Sequence, residues 1–216
     1  MSIEGAQIPE NRKLTPKGEL RKKVILEKAL ELFGEKGYHA TTMDDIAKAA
    51  YTGKGTVYWY WKSKEEIFLE LLTVKFETYL KALSTAAEMN LPAPEKVLMI
   101  IAEVGNIFVK YRKFCKLVFL LISDDSERFS PKVVAITKGY YRKFKEIIER
   151  VIRDGQSEKS IDGLISPEDL ATIMVGALDG ILIQENIFGK TYSINKLGET
   201  FLALLKKGVF VKSVWQ

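Results

Sequence analysis

Gly53-Lys54-Gly55-Thr56-Val57-Tyr58-Trp59-Tyr60-Trp61-Lys62-Ser63-Lys64, residues 53–64, decides how the rest of the chain is read. Lysines, hydroxyls and consecutive aromatics in one short helix suit a polar, negatively charged groove better than an apolar interior. Successive side chains of a helix point in different directions, so Tyr58, Trp59, Tyr60 and Trp61 cannot all face inward. Val57 and Trp61, one turn apart, are assigned to the core. Upstream, Thr42-Met43-Asp44-Asp45 sets a hydroxyl three residues before a carboxylate, the reciprocal capping pattern that opens a helix near Met43. Its apolar side is Ile46, Ala47 and Ala50, and the pattern breaks at Tyr51-Thr52-Gly53 before a second short helix starts at Lys54. Two brief helices joined by about three turn residues predict a helix-turn-helix, whose second helix enters the major groove by its N-terminal residues.

The bounds set by composition agree with a globular, charged protein. The chain has 216 residues, 47% hydrophobic and 28% charged, enough for one substantial core or two modest ones. No apolar run exceeds six residues (Val97 to Ala102 and Leu117 to Ile122), so no membrane span or secretory signal is expected and the chain is placed in the cytoplasm with no membrane partner. The single cysteine, Cys115, cannot form an internal disulfide and reads as a small core residue. With one histidine, His39, in the loop before the first short helix, an ordinary zinc set is out of reach, and no metal or cofactor is expected. The net charge of +5 permits nucleic-acid binding, and residues 1–64 hold 12 Lys and Arg against 8 Asp and Glu.

Residues 1–16 are polar and aperiodic and read as a flexible N-terminal arm. Ile25, Leu26, Ala29, Leu32 and Phe33 then trace a first helix, with Gly37 at its C-terminal cap. Ser63 and Glu66 form a second capping pair that opens a long helix from about Lys64 to Glu88, stopped by Asn90-Leu91-Pro92-Ala93-Pro94. Further helices are predicted from Val97 to about Arg112 or Lys113, from Lys116 to Ile122, from Pro131 to about Asp154, where Gly155 ends the helix, from Pro167 to Phe188, and from Asn195 to Val211. The expected class is all-α, about nine helices: an N-terminal three-helix DNA-binding domain over 17–65 and a C-terminal helical bundle over 66–216.

An enzymatic reading has one foothold, the tetrapeptide Gly53-Lys54-Gly55-Thr56, which also occurs in nucleotide-binding phosphate loops. Such a loop needs a glycine where this chain has Lys48, and it follows a strand where this chain has a helix. No nucleophile with a histidine base, paired carboxylates or metal cluster replaces it, so the chain is not read as an enzyme.

Arg21, Ile25, Leu26, Ala29, Leu32-Phe33, Gly37, Thr41-Thr42, Ile46-Ala47, Ala50, Gly55-Thr56-Val57-Tyr58 and Lys62-Ser63-Lys64-Glu65 together resemble the TetR family of bacterial transcriptional repressors. The likeness is dense over residues 21–66 and rests beyond them on the number and length of helices. It implies a homodimeric repressor that binds a palindromic operator and releases it when a small molecule enters the C-terminal domain. Three positions depart from the family pattern: Tyr51 replaces the usual turn glycine, Gly53 the serine cap and Trp61 a phenylalanine. A non-glycine residue in left-handed geometry costs about 1–2 kcal/mol, so either Tyr51 bears that strain or Gly53 takes over the turn.

The candidate DNA contacts are Thr42, Lys54, Gly55, Thr56, Tyr58, Trp59, Tyr60 and Lys64. Lys54 and Thr56 reach base edges, Tyr58 meets a thymine methyl, and Gly55 lets the backbone approach. The Trp59 indole, the Tyr60 hydroxyl, Lys64 and Thr42 donate to phosphates. Arg12, Lys13, Lys17 and Arg21 follow the minor groove or form a solvated tail.

In the C-terminal region Leu170, Ile173, Met174, Ala177 and Ile181 of one helix and Leu197, Phe201, Leu204 and Leu205 of the last form apolar faces. They either close the subunit's own core or, as a palindrome reader and the resemblance require, build a four-helix interface across a two-fold axis. Phe76, Tyr79, Phe108, Tyr111, Phe119, Tyr140, Tyr141 and Phe144 supply a largely apolar pocket, with Asn106, Asp179, Gln184 and Asn186 as polar anchors, or else serve for the most part as ordinary core. The basic clusters Lys110-Arg112-Lys113-Lys116 and Lys138-Arg142-Lys143-Lys145 either hold an anionic effector head group, such as that of an acyl-CoA thioester, or, on the preferred reading, are solvated helix faces. The expected function is therefore a ligand-responsive repressor acting on double-stranded operator DNA as a homodimer, with a small-molecule effector. The alternative is an architectural or division-associated DNA-binding factor without an effector, which requires a closed, fully packed C-terminal domain.

Overall fold

A computed structural model describes residues 15–123, 131–188 and 194–209. Among these residues the elements are α1 (Pro16–Lys36), α2 (Met43–Ala49), α3 (Lys54–Tyr60), α4 (Lys64–Ala87), α5 (Ala93–Lys110), α6 (Arg112–Ser123), α7 (Pro131–Ser157), α8 (Pro167–Phe188) and α9 (Ile194–Gly208), with no strand. The chain divides into two compact units, the first ending at Ile67 and the second beginning at Phe68.

In the first unit, α1 starts at Pro16, within one residue of the expected boundary of the arm. Thr15 accepts a hydrogen bond from the Gly18 amide and Pro16 fills the first turn, where its missing N–H costs nothing. Lys17 and Arg21 consequently sit on a helix and not on an arm; Arg12 and Lys13 lie outside the described residues. Ile25, Ala29, Phe33, Ile46, Val57, Trp61 and Ile67 close one core over the three helices.

The second unit is built around α7. Ile148, Val151 and Ile152 are fully buried and share a core with Ile100 and Ile101 of α5, Leu83 of α4 and Met174 of α8. Helix α7 does not stop at Gly155. It runs to Ser157, the Ser160 amide returns to the Gly155 carbonyl at 2.8 Å and the Lys159 amide to the Gln156 carbonyl at 3.1 Å, with Lys159 at φ 59°. These paired bonds form the Schellman cap. Lys159 thus occupies the left-handed position that sequence reasoning gave to the glycine.

Three of the nine expected interface residues are interior instead. Leu170, Met174 and Leu205 are buried in their own subunit, because α8 and α9 turn those positions towards α5 and α7. Phe201 packs partly buried against the same core. Ile173 and Leu204 stand exposed at 64% and 63%, with Ala177, Ile181 and Leu197 intermediate.

Candidate nucleic-acid interface and effector cavity

Helix α2 opens on the capping box read from the sequence: the Asp45 amide donates to Thr42 Oγ1 at 3.1 Å and the Thr42 amide to Asp45 Oδ2 at 3.0 Å. The Thr42 amide and hydroxyl, both donating to the carboxylate, hold the Asp45 carboxyl below the usual carboxylate range, with help from Lys36. The Thr42 hydroxyl proton goes to the same carboxylate at 2.9 Å, so it is spent within the cap and not offered to a phosphate.

At the other end of α2, the Thr52 amide returns to the Ala47 carbonyl and the Tyr51 amide to that of Lys48, a second Schellman cap. Tyr51 holds its left-handed position at φ 50°, whereas Gly53 has an ordinary φ of −71°. The strain therefore rests on Tyr51, whose ring is 96% exposed and recovers nothing by burial. Tyr51→Gly is expected to stabilise the first unit by about 1 kcal/mol, read as a higher urea midpoint at unchanged slope.

Helix α3 is fastened from below. Val57 and Trp61 are buried, while Lys54, Gly55, Tyr58 and Trp59 are exposed, so one face keys into the core and the other meets solvent. Tyr60 points back: its hydroxyl donates to the Gly18 carbonyl at 2.9 Å, and its ring meets Trp59 edge-on at 4.7 Å. Its proton ties α3 to α1, correcting the expected phosphate contact. Thr56, Trp59 and Tyr60 line a shallow groove with Lys17 and Arg21 of α1. Lys54 reaches Asp44 Oδ1 at 2.7 Å, which holds its ammonium pKa above the ordinary lysine value.

Lys64 departs most from the sequence reading. Its ammonium donates to the carbonyls of Tyr38, His39 and Thr41 at 2.7, 3.1 and 2.7 Å and lies 4.5 Å from the Tyr38 ring centroid. All three of its protons are used within the first unit. It is a clasp on the α1–α2 loop, not a phosphate contact, and burial lowers its pKa.

The second unit holds a cavity of about 80 Å³ between α4, α5, α6, α7 and α8. Of the twelve residues expected there, Phe76, Tyr79, Phe108, Tyr140, Tyr141, Phe144 and Asp179 line it. Asn106 is exposed beside an adjoining cavity of about 260 Å³, which shares Val104, Phe108 and Leu178 with the first. Tyr111 packs at 5.4 Å against the outer side of Tyr79 and does not line the cavity. Gln184 is exposed on α8 and lines neither cavity, and the Phe119 and Asn186 side chains lie outside the described residues. The Tyr141 hydroxyl donates to Asp179 Oδ1 at 3.2 Å, and Cys115 is the lining residue that sequence reasoning missed as part of the pocket. Burial raises the Asp179 carboxyl to about 6, against the opposing effect of the Tyr141 hydrogen bond, and raises the Cys115 thiol to about 12. Among the described residues no group of histidine, cysteine and acidic side chains is placed to hold a metal, and no helix is long and apolar enough to cross a membrane.

A capped helix pair that presents its second helix outward on a buried valine and tryptophan defines a helix-turn-helix DNA-binding protein. Residues 25–71 match the profile of the bacterial regulatory proteins of the tetR family. The HTH-type transcriptional regulator YhgD of Bacillus subtilis is 33% identical over 155 residues, 72% of this chain and 78% of the relative. The chain belongs to the TetR family and is a transcriptional regulator. The fatty acid metabolism regulator protein of B. subtilis is 23% identical over 87% of this chain and 95% of its own. The crystal structure of FadR from B. subtilis in complex with stearoyl-CoA superposes with a TM-score of 0.74 at 21% identity, over 86% of this chain and 98% of that one.

Proposed function

We propose that this regulator is a repressor that binds a palindromic operator as a homodimer and lets go when a small molecule with an apolar body fills the second unit. The observation that carries the reading is α3, whose Lys54, Gly55, Tyr58 and Trp59 are exposed over a core fixed by Val57 and Trp61. Lys54 and Thr56, in the first turn of α3, are the base-edge readers, and Tyr58 and Trp59 the aromatic contacts along the groove. Ile173, Ala177 and Ile181 of α8 and Leu197 and Leu204 of α9 remain at the subunit surface as the two-fold contact, with Ile173 and Leu204 most open.

A regulator without an effector would pack its second unit shut. Two adjoining cavities, walled mainly by apolar side chains with Asp179 in the first and Asn106 and Glu199 in the second, favour the effector-bearing reading. The stearoyl-CoA held by the B. subtilis structural neighbour supports an effector with a long apolar part. Effector binding acts by differential affinity for the DNA-competent and released states.

Selection of duplexes from a random pool, followed by footprinting, tests this directly. The expected product is a symmetric site with two half-sites about one helical turn apart. Asymmetric selection, or a monomer on the selected duplex, overturns the dimeric reading. Lys54→Ala is expected to relax base preference at one position per half-site, at a cost of about 1–3 kcal/mol for the best sequence and little for the others, measured by fluorescence anisotropy.

A further inference from the structure

The cavity between α4 and α8 has an electrical sign. Asp179 is the one Asp, Glu, Lys, Arg or His among its described lining residues. The other titratable groups facing it are Tyr79 of α4, Cys115 of α6, and Tyr140 and Tyr141 of α7; α5 contributes Val104, Ile107 and Phe108, none of which titrates. Burial pushes the phenols and the thiol upward, so they are neutral at neutral pH and the Asp179 carboxylate stands as the only charge.

That carboxylate receives one hydrogen bond, from Tyr141, although an ionised carboxylate offers about four acceptor positions. A partly buried charge so sparsely served favours a cationic partner. The surroundings suit one. Phe76 and Tyr140 stack at 4.1 Å and Phe114 meets both Phe76 and Tyr79 edge-on, so aromatic π-density lines the space next to the carboxylate. The Tyr79 hydroxyl is buried without a hydrogen-bond partner and offers one more polar contact.

We propose that this cavity receives a cationic head group, an ammonium on an apolar body, held between Asp179 and the rings of Phe76, Tyr79 and Tyr140, with the body running into the adjoining space between α5, α8 and α9. An anionic head would meet Asp179 in a confined, low-dielectric space with no lining cation to offset the repulsion. The proposal rests on the effector reading for the consequence of binding, but not for binding itself.

Calorimetric titration of the full chain with decyltrimethylammonium, decanol and decanoate, all below micelle formation, separates head from tail. Decyltrimethylammonium is expected to bind about tenfold more tightly than either chain-matched competitor. Asp179→Asn, which keeps an acceptor for Tyr141, is expected to erase that advantage while leaving decanol unchanged. In the unmodified protein the ammonium affinity falls about tenfold between about pH 7.5 and pH 5, as the carboxyl protonates, while decanol affinity holds. Decanoate matching the ammonium ligand, a pH-independent ammonium affinity, or no binding of any of the three overturns the assignment. Ammonium binding that fails to release DNA leaves the assignment standing and overturns the effector reading instead.

Discussion

Lys64→Met is expected to weaken binding to every DNA sequence alike, without changing its salt dependence. Methionine keeps the unbranched apolar stem of lysine out to the ε position but lacks the ammonium and donates nothing, so the carbonyls of Tyr38, His39 and Thr41 lose their common donor. Each carbonyl belongs to the loop that delivers Thr42 to the α2 cap, and Thr41, fully buried, adds its own hydroxyl bond to the Gly37 carbonyl at 2.8 Å. Leaving carbonyls of a partly buried loop without a donor costs about 2–3 kcal/mol in all, enough to loosen the seat of α2 and α3. Lys64→Arg falls between, since a planar fork cannot converge on the three oxygens as an ammonium does. Thermal melts and anisotropy titrations at several salt concentrations decide the matter. A phosphate contact would instead leave the melting temperature unchanged and lower the salt slope by about one.

Gly155→Ala is expected to destabilise the second unit by about 2 kcal/mol, against the usual gain of about 1 kcal/mol for alanine over glycine in a helix. A Cβ at this position would lie 2.6 Å from Ile161 Cδ1, 2.7 Å from Ile161 Cγ1 and 2.8 Å from Ala93 Cβ, all well inside contact distance. Both neighbours are buried, and Ile161 is held at its position by its amide bond to the Gly155 carbonyl at 3.0 Å, so neither can step aside cheaply. Removing the Ile161 side chain relieves two of the three clashes. A Gly155→Ala/Ile161→Ala cycle should therefore show the double variant less destabilised than the sum of the singles by about 1 kcal/mol, with the Ala93 clash remaining. Equal or greater stability of Gly155→Ala would refute the close approach.

Local chemistry made much of this visible from residue order alone. A hydroxyl and a carboxylate three residues apart announce a cap because both partners are in the motif, and Val57 and Trp61 declare themselves by spacing. Tyr60 and Lys64 escape such a reading because their acceptors are distant backbone carbonyls, Gly18 in α1 for the first and the α1–α2 loop for the second, whereas the Thr42 hydroxyl is engaged by the same Asp45 that makes its cap legible. Periodicity also failed on α8, which is apolar on more than one side, so Leu170 and Met174 could not be told from Ile173 until neighbouring helices chose a face. Gly155 looked like a terminator because glycine is common there; a lysine took the left-handed cap and freed the glycine for packing. The Tyr141–Asp179 pair spans 38 positions, beyond any local pattern.

The ion pair between Lys54 and Asp44 carries a consequence for how the regulator tolerates its surroundings. If α3 enters the groove as proposed, an ammonium paired with Asp44 brings less fresh positive charge to the duplex than a lone lysine, and uncharged rings such as those of Tyr58 and Trp59 displace no condensed counterions. Discrimination by α3 should thus survive brine that strips away proteins gripping mainly by phosphate attraction. The ionic sensitivity that remains is then expected from basic side chains at the flank such as Lys17 and Arg21, which share a groove with α3 and are suited to phosphates and not to base edges.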